Sequence, residues 1–256
     1  MAYFYLGDKK ALHVRSSGLR ILLDVEDIGI INFVSTDVYE PDVSFAIEAL
    51  LEKDGVFVDV GANLGIHSLS AAMKLAKPEC VIAVEPNPEL FGLMTKSIII
   101  NGYQQRISTH NIAAWNQDVE LELSFPSDAH RVGAIKLQGS QSPAGNSSGT
   151  TSFPVKGRRI DDVIKDKERV CLIKIDVEGR EPYVIEGLKE TITKSNCAII
   201  AEFVGHDIER LYGLEKFLQM MDHLGLKPHR VDAKNKTFEA IETLPSSHAN
   251  LVWKRR

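Results

Sequence analysis

The run Phe57-Val58-Asp59-Val60-Gly61-Ala62-Asn63-Leu64-Gly65-Ile66-His67 constrains this chain more than any other segment. An apolar, β-branched stretch leads into Asp-x-Gly-x-Asn-x-Gly, and a helical pattern begins at once. A buried strand that feeds a glycine-rich turn and then a helix N-terminus turns backbone N–H groups toward a nucleotide-like ligand.

The surrounding pattern extends this unit into a sheet. Near-continuous apolar runs at Val56–Val60, Val81–Glu85, Ile107–Asn111, Leu172–Asp176 and Ala198–Phe203 read as parallel strands covered on both faces. Helical periodicities lie between them. Ile66, Leu69, Met73 and Ala76 share a face, as do Leu90 or Phe91 with Met94 and Ile98. Val184, Leu188 and Ile192 predict another helix, and Leu211, Leu214, Leu218 and Met221 a further one. This alternation implies an α/β doubly wound sheet with right-handed crossovers. Lys227–Val231 and Asn250–Trp253 read as a terminal, antiparallel pair around the turn Asp232–Lys236.

Before this core, residues 3–40 alternate loosely, with Ala11–Arg15, Ile21–Val25 and Gly29–Val34 as strand candidates. The expectation is a small β-rich extension over 1–40 and a Rossmann-like core over 41–256, together one domain. Asp42–Leu51 reads as a helix. Gln138–Ser152, rich in Gly, Ser and Thr, reads as a surface loop, or as a lid over a substrate mouth. Both chain ends read as domain edges.

The spacing of the glycine turn selects among adenosine ligands. A dinucleotide fingerprint needs Gly-x-Gly-x-x-Gly, whereas the corresponding positions here are Gly61, Asn63 and Ile66. A carboxylate at Asp59 repels a pyrophosphate and attracts an ammonium or sulfonium. S-adenosylmethionine carries both cations, so it is the expected cofactor, with Asp59, Gly61, Ala62, Asn63 and Gly65 around it. His67, just inside the following helix, is expected to be a neighbour of the cofactor pocket. Glu85 ends the second strand, where an acid can bond ribose hydroxyls. Pro86 and Asn87, which follow it, also enter the expected cofactor set, and Pro88 suits the first position of a helix. At the third strand end, Asn111 is a candidate for the adenine amino group and Ile112 for the adenine face.

A second motif, Leu172-Ile173-Lys174-Ile175-Asp176-Val177-Glu178-Gly179-Arg180-Glu181, ends a strand in paired carboxylates. Ligands of open α/β sheets lie outside the carboxyl ends of the strands, so Asp59, Glu85, Asn111 and Asp176 are expected on one rim. Asp176 also enters the cofactor set. Asp176 and Glu178 are the first candidates to position an acceptor hydroxyl or take its proton. His206, which follows the fifth strand with Glu202, is the second. Glu178 or Glu181 can alternatively cap the next helix, and Lys174 can simply snorkel. A hard-cation site from Asp176, Glu178, Glu202 and His206 is a further reading that their spacing does not demand, so no metal is expected.

These blocks resemble the FkbM-type methyltransferases. The resemblance is carried by Phe57–Gly65, Val84-Glu85-Pro86-Asn87-Pro88, Arg159-Ile160-Asp161-Asp162-Val163 and Ile173–Gly179, with Tyr39-Glu40-Pro41 as lead-in, across roughly residues 36–204. It implies a class I methyltransferase fold, a seven-stranded sheet whose last strand is antiparallel. It also implies S-adenosylmethionine as donor and a hydroxyl acceptor, on a sugar, glycan or small natural product. An NAD-dependent oxidoreductase and a non-catalytic adenosyl-binding scaffold are the alternatives.

Charge and cysteine usage bound the rest. With 30 Lys and Arg against 35 Asp and Glu, the net charge of −5 gives no nucleic-acid footprint. No apolar run reaches bilayer length, and no signal peptide opens the chain. Cys80, Cys171 and Cys197 lack metal-ligand spacing and read as buried thiols of a cytoplasmic protein.

Overall fold

A computed structural model describes residues 1–26, 29–75, 77–126, 134–137 and 150–255. The chain opens with a three-stranded antiparallel sheet, β1 (Ala2–Gly7), β2 (Lys10–Val14) and β3 (Arg20–Asp24). Residues 29–36 then form helix α1 (Gly29–Thr36), where the alternating pattern predicted a third strand. A short apolar run does not distinguish strand from helix by itself. Here Ile30 and Phe33, one helical turn apart, are both buried, and the Phe33 ring packs 5.0 Å from His13 and 5.5 Å from Tyr39. Asp37 fastens the small sheet to this helix. Its carboxylate accepts from Arg15 Nε at 2.9 Å and from the Ser16 N–H and hydroxyl.

Helix α2 (Pro41–Leu50) leads to the core units β4 (Val56–Val60), α3 (Ile66–Lys74), β5 (Val81–Val84), α4 (Pro88–Ile100) and β6 (Ile107–His110). Every residue of β4 and β5 is buried, as parallel strands covered on both faces require. A side sheet of β7 (Ala113–Ala114), β8 (Val119–Pro126), β9 (Ala134–Leu137) and β10 (Thr150–Arg158) follows, in the order β7-β10-β8-β9. Sequence periodicity gave no sign of it. Of the Gly/Ser-rich segment expected as a loop, residues 138–149 lie outside those described. Thr150–Ser152 instead begin β10 and pair with Pro126–Ser124 of β8.

The core resumes with β11 (Val170–Ile175), α5 (Glu181–Glu186), α6 (Lys189–Lys194), β12 (Ala198–Phe203), α7 (Gly205–Leu211) and α8 (Leu214–His223). Each of the two helices expected after β11 and β12 is divided in two. Gly187 breaks the first because its backbone passes the Trp115 carbonyl, which an added Cβ would meet at 2.0 Å. Gly213, at φ 95°, breaks the second. The chain closes with β13 (Lys227–Asp232), β14 (Thr237–Ala240) and β15 (Ala249–Lys254).

The main sheet runs β14-β13-β15-β12-β11-β4-β5-β6. It has eight strands, not the seven expected. The turn at Asp232–Lys236 closes a β13–β14 hairpin, and the added edge strand β14 is too short and too exposed for periodicity to show. The parallel set spans β12-β11-β4-β5-β6, and β15 lies antiparallel between β12 and β13. The strand order reverses beside β4, so the carboxyl ends of β4, β5 and β11 meet at a topological switch point. Because β15 runs the other way, its start lies on that same rim.

Candidate active site

The glycine turn crosses from β4 to the end of β5. Gly61 and Ala62 both donate their N–H to the Val84 carbonyl, at 2.9 and 3.0 Å. Gly61 sits at φ 74°, and a Cβ there would stand 1.9 Å from the Asp176 carbonyl oxygen, so only glycine fits between the two strand ends. Gly65, at φ 75°, ends the turn and starts α3.

Glu85 is buried and braces this turn. One carboxylate oxygen accepts the Asn63 N–H and the other the Asn87 N–H, both at 2.8 Å. Burial pushes its carboxyl up to about 7, against the opposing pull of those two N–H groups. Asn87 caps α4 by accepting from the Glu89 and Leu90 N–H groups. Asn111 donates to the Glu85 and Pro86 carbonyls at 2.8 and 3.1 Å, and Ile112 follows it half-buried. Asp59, Glu85, Asn111 and Asp176 thus occupy the strand ends assigned to them by the sequence.

Beneath the turn lies a charge network that the sequence did not reveal. Asp59 and Lys174 are partners in the parallel register of β4 and β11. Lys174 does not snorkel. Its side chain is 6% exposed, and its Nζ reaches the Gly61 carbonyl at 3.0 Å, Asp176 at 3.1 Å and Asp59 at 3.8 Å. Burial works against the ammonium, but Asp176, Asp59 and Glu40 hold its pKa above the ordinary lysine value. The Glu40 carboxylate, just before α2, accepts from His67 Nε2 at 2.8 Å, and Tyr39 packs 5.2 Å from that ring. His67 is thus linked through Glu40 to the Lys174 network.

Among the described residues, several buried polar atoms at the turn have no hydrogen-bond partner: Asp59 Oδ1, which has only the longer ion pair to Lys174, Asn63 Oδ1 and Asn87 Nδ2. The other Asp59 oxygen accepts from the Ser68 hydroxyl at 2.6 Å. Unpaired buried groups cost free energy unless a ligand satisfies them. Acceptors beside a glycine cradle, under a rim of carboxylates, match an adenosyl ligand bearing an ammonium and a sulfonium. The residues present fit S-adenosylmethionine.

The rim beside β11 and β12 is acidic. Asp176, Glu178 and Glu202 bring carboxylate oxygens within 4.8 Å of one another. Glu181, also buried, ties the turn between β11 and α5 by accepting the Val177 and Gly179 N–H groups. These bonds brace the turn ahead of α5 and do not reach the N–H groups of the helix itself. Burial, followed by the charges of Asp176, Glu178 and Glu181, pushes Glu202 up to about 8. Glu202 also meets His248 Nε2 at 2.6 Å. His206 lies apart from this cluster: it is on α7 with its side chain 80% exposed, 3.5 Å from Asp207. Sequence reasoning missed His248. The available signal was its position directly before the antiparallel strand, which starts on the ligand rim.

Fold and site together define an adenosyl-binding α/β protein of the class I methyltransferase type. The description "Methyltransferase FkbM domain" matches residues 59–236, and the chain belongs to that family. Its cofactor is S-adenosylmethionine. The chain is 25% identical over 170 residues to the hexuronic acid methyltransferase AglP of Haloferax volcanii, covering 66% of this chain and 64% of that protein. It is 23% identical over 165 residues to the methyltransferase sdnD of Sordaria araneosa, covering 56% and 63% respectively. The chain thus spans slightly under two-thirds of these curated relatives. The crystal structure of a methyltransferase FkbM from Methylobacillus flagellatus KT matches the fold with a TM-score of 0.50 at 17% identity, covering 88% of this chain and 52% of that one.

Proposed function

We propose that this chain transfers a methyl group to a hydroxyl oxygen on a sugar or another small natural product. The observation that carries the reading is the meeting of two half-sites on one rim. The glycine turn with Asp59 and Glu85 forms one half, and the carboxylates Asp176, Glu178 and Glu202 form the other. The name of the Haloferax volcanii relative supports a sugar-type acceptor.

S-adenosylmethionine supplies an activated methyl on a sulfonium. Asp59, Gly61, Ala62, Asn63, Gly65, Glu85 and Asn87 are the residues that would hold it, with Asn111 and Ile112 at the adenine end. Asp176 and Glu178 are proposed to orient the acceptor hydroxyl. Alignment of this kind contributes on the order of 7–11 kcal/mol, and a positioned base adds about 10²–10⁴-fold. Among the described residues no helix is long and apolar enough to cross a membrane. The three cysteines are free and buried, which favours a reducing, cytoplasmic setting.

The test is transfer of labelled methyl from S-adenosylmethionine to a panel of hexuronic acids, neutral sugars and small alcohols, beside calorimetric binding of S-adenosylhomocysteine. Oxygen-linked methyl product that disappears in Asp176→Ala supports the reading. Stabilisation by NAD but not by S-adenosylhomocysteine overturns it.

A further inference from the structure

We propose that His248 and Glu202 act as one proton-accepting pair for the acceptor hydroxyl, His248 as the catalytic residue and Glu202 as its positioning residue; this rests on the methyl-transfer reading above. Topology brings the two together. Glu202 lies opposite Asn250 in the antiparallel register of β12 and β15, so the residue preceding β15 emerges at the carboxyl end of β12. There His248 Nε2 stands 2.6 Å from Glu202 Oε1.

The two partners differ in exposure, as the division of labour requires. Glu202 has a side chain only 12% exposed, while that of His248 is 60% exposed and open to a substrate on the rim. Among the described residues the second Glu202 oxygen, which is buried, has no hydrogen-bond partner, and His248 is the side chain that meets the first. Asp176 and Glu178 are committed differently. Asp176 is ion-paired with Lys174 at 3.1 Å, and Glu178 is a solvent-exposed residue at φ 55°. His206, the histidine suggested by sequence, has only Asp207 beside it.

The proton balance is simple. The acceptor O–H bond breaks and its proton passes to the imidazole. The oxygen electron pair forms the new O–CH₃ bond, and the pair of the broken C–S bond stays on sulfur as a neutral thioether. Groups facing the pair are Lys174 and Asp176 from β11 and its end, Glu178 and Glu181 from the following turn and α5, and Asp207 of α7 beside Glu178. Burial, followed by the charges of Asp176, Glu178 and Glu181, pushes the Glu202 carboxyl up to about 8. Two groups in such contact titrate as a unit.

The first measurement needs no acceptor. The Glu202 carboxyl carbon and the His248 ring nitrogens are followed by NMR from about pH 5 to 10, with His248→Asn for assignment. The two signals are expected to change together, and Glu202→Gln is expected to move the histidine curve. Separate curves, with that of His248 unmoved by Glu202→Gln, overturn the proposal.

The second measurement uses whichever panel compound accepts labelled methyl fastest. His248→Asn is expected to lower kcat about 10²–10⁴-fold, with KM and S-adenosylhomocysteine affinity unchanged. His248→Gln serves if His248→Asn does not fold. Full turnover in a folded His248 variant overturns the assignment. So does transfer that chelation abolishes and Mg²⁺ restores. If wild-type protein fails to bind S-adenosylhomocysteine, the methyl-transfer reading falls, and the NMR coupling still reports on the pair.

Discussion

Lys174 and Asp59 face each other in the register of β11 and β4, and the lysine ammonium continues to the Gly61 carbonyl, 3.0 Å away. One side chain therefore offsets the carboxylates beneath the glycine turn and holds that turn against the neighbouring strand. Asp176, at 3.1 Å from the same ammonium, ties the end of β11 to it.

Replacing Lys174 by Met removes the counterion of two carboxylates, one of them fully buried. Breaking a buried pair from one side costs about 3–5 kcal/mol. Urea unfolding of Lys174→Met is expected to show a loss of that size, with weaker S-adenosylhomocysteine binding in the protein that remains folded. Wild-type stability in this variant would mean that the network contributes nothing to the fold.

Glu85 braces the turn through two N–H groups while standing where ribose hydroxyls are expected. Glu85→Gln retains shape and loses charge. Hydrogen bonds to charged groups contribute about 1.5–3 kcal/mol, so calorimetry is expected to show S-adenosylhomocysteine binding about 10–100-fold weaker. An unchanged affinity would remove Glu85 from the cofactor set.

Asp161, in the Arg159–Val163 block, has a structural role. It is buried, and its carboxylate accepts from the Glu190 and Thr191 N–H groups and the Thr191 hydroxyl, capping α6 from a distant part of the chain. Asp161→Ala is expected to cost about 2 kcal/mol in thermal or urea unfolding and to leave S-adenosylhomocysteine affinity as in wild type. A selective loss of affinity with stability intact would contradict this role.

Stability is expected to fall as pH rises from about 4.5 to 8. Burial raises the Glu85 and Glu181 carboxyls from 4.5 to about 7 and that of Glu202 to about 8. Across this window the folded chain binds more protons than the unfolded one, so each added pH unit favours unfolding. Glu181→Gln keeps an oxygen for the Val177 and Gly179 N–H groups and removes one titration. Calorimetric melting of this variant is expected to show a flatter decline, by on the order of 1–3 kcal/mol across the window. An identical pH profile would show that Glu181 does not carry the effect.

The local structure of the proposed cofactor half was legible because its determinants are local. Gly61, Asn63 and Gly65 announce a turn by residue type, Glu85 follows an apolar run, and Asn87-Pro88 marks a helix start. All of these stand where the sequence places them. The acceptor half was legible only in part. Asp176 and Glu178 are separated by one residue in sequence, but Glu202 joins them through the pairing of β11 with β12, and His248 through that of β12 with β15. No local pattern encodes those neighbours. α1 was misread for a related reason: its apolar spacing suits both periods, and packing of Ile30 and Phe33 selects the helix.

By itself the sequence determined the alternation of buried strands and helices, the turn that excludes a dinucleotide, and the carboxylates at strand ends. These follow from side-chain volume, backbone freedom and charge within a few residues of one another. Only the tertiary structure decided that Lys174 is a buried counterion, that Gly61 must lack a Cβ because Asp176 passes beside it, that an eighth strand closes the sheet, and that His248 rather than His206 meets the acidic rim. Each depends on which strands lie side by side and in which direction. That is set by the whole core burying its apolar surface at once.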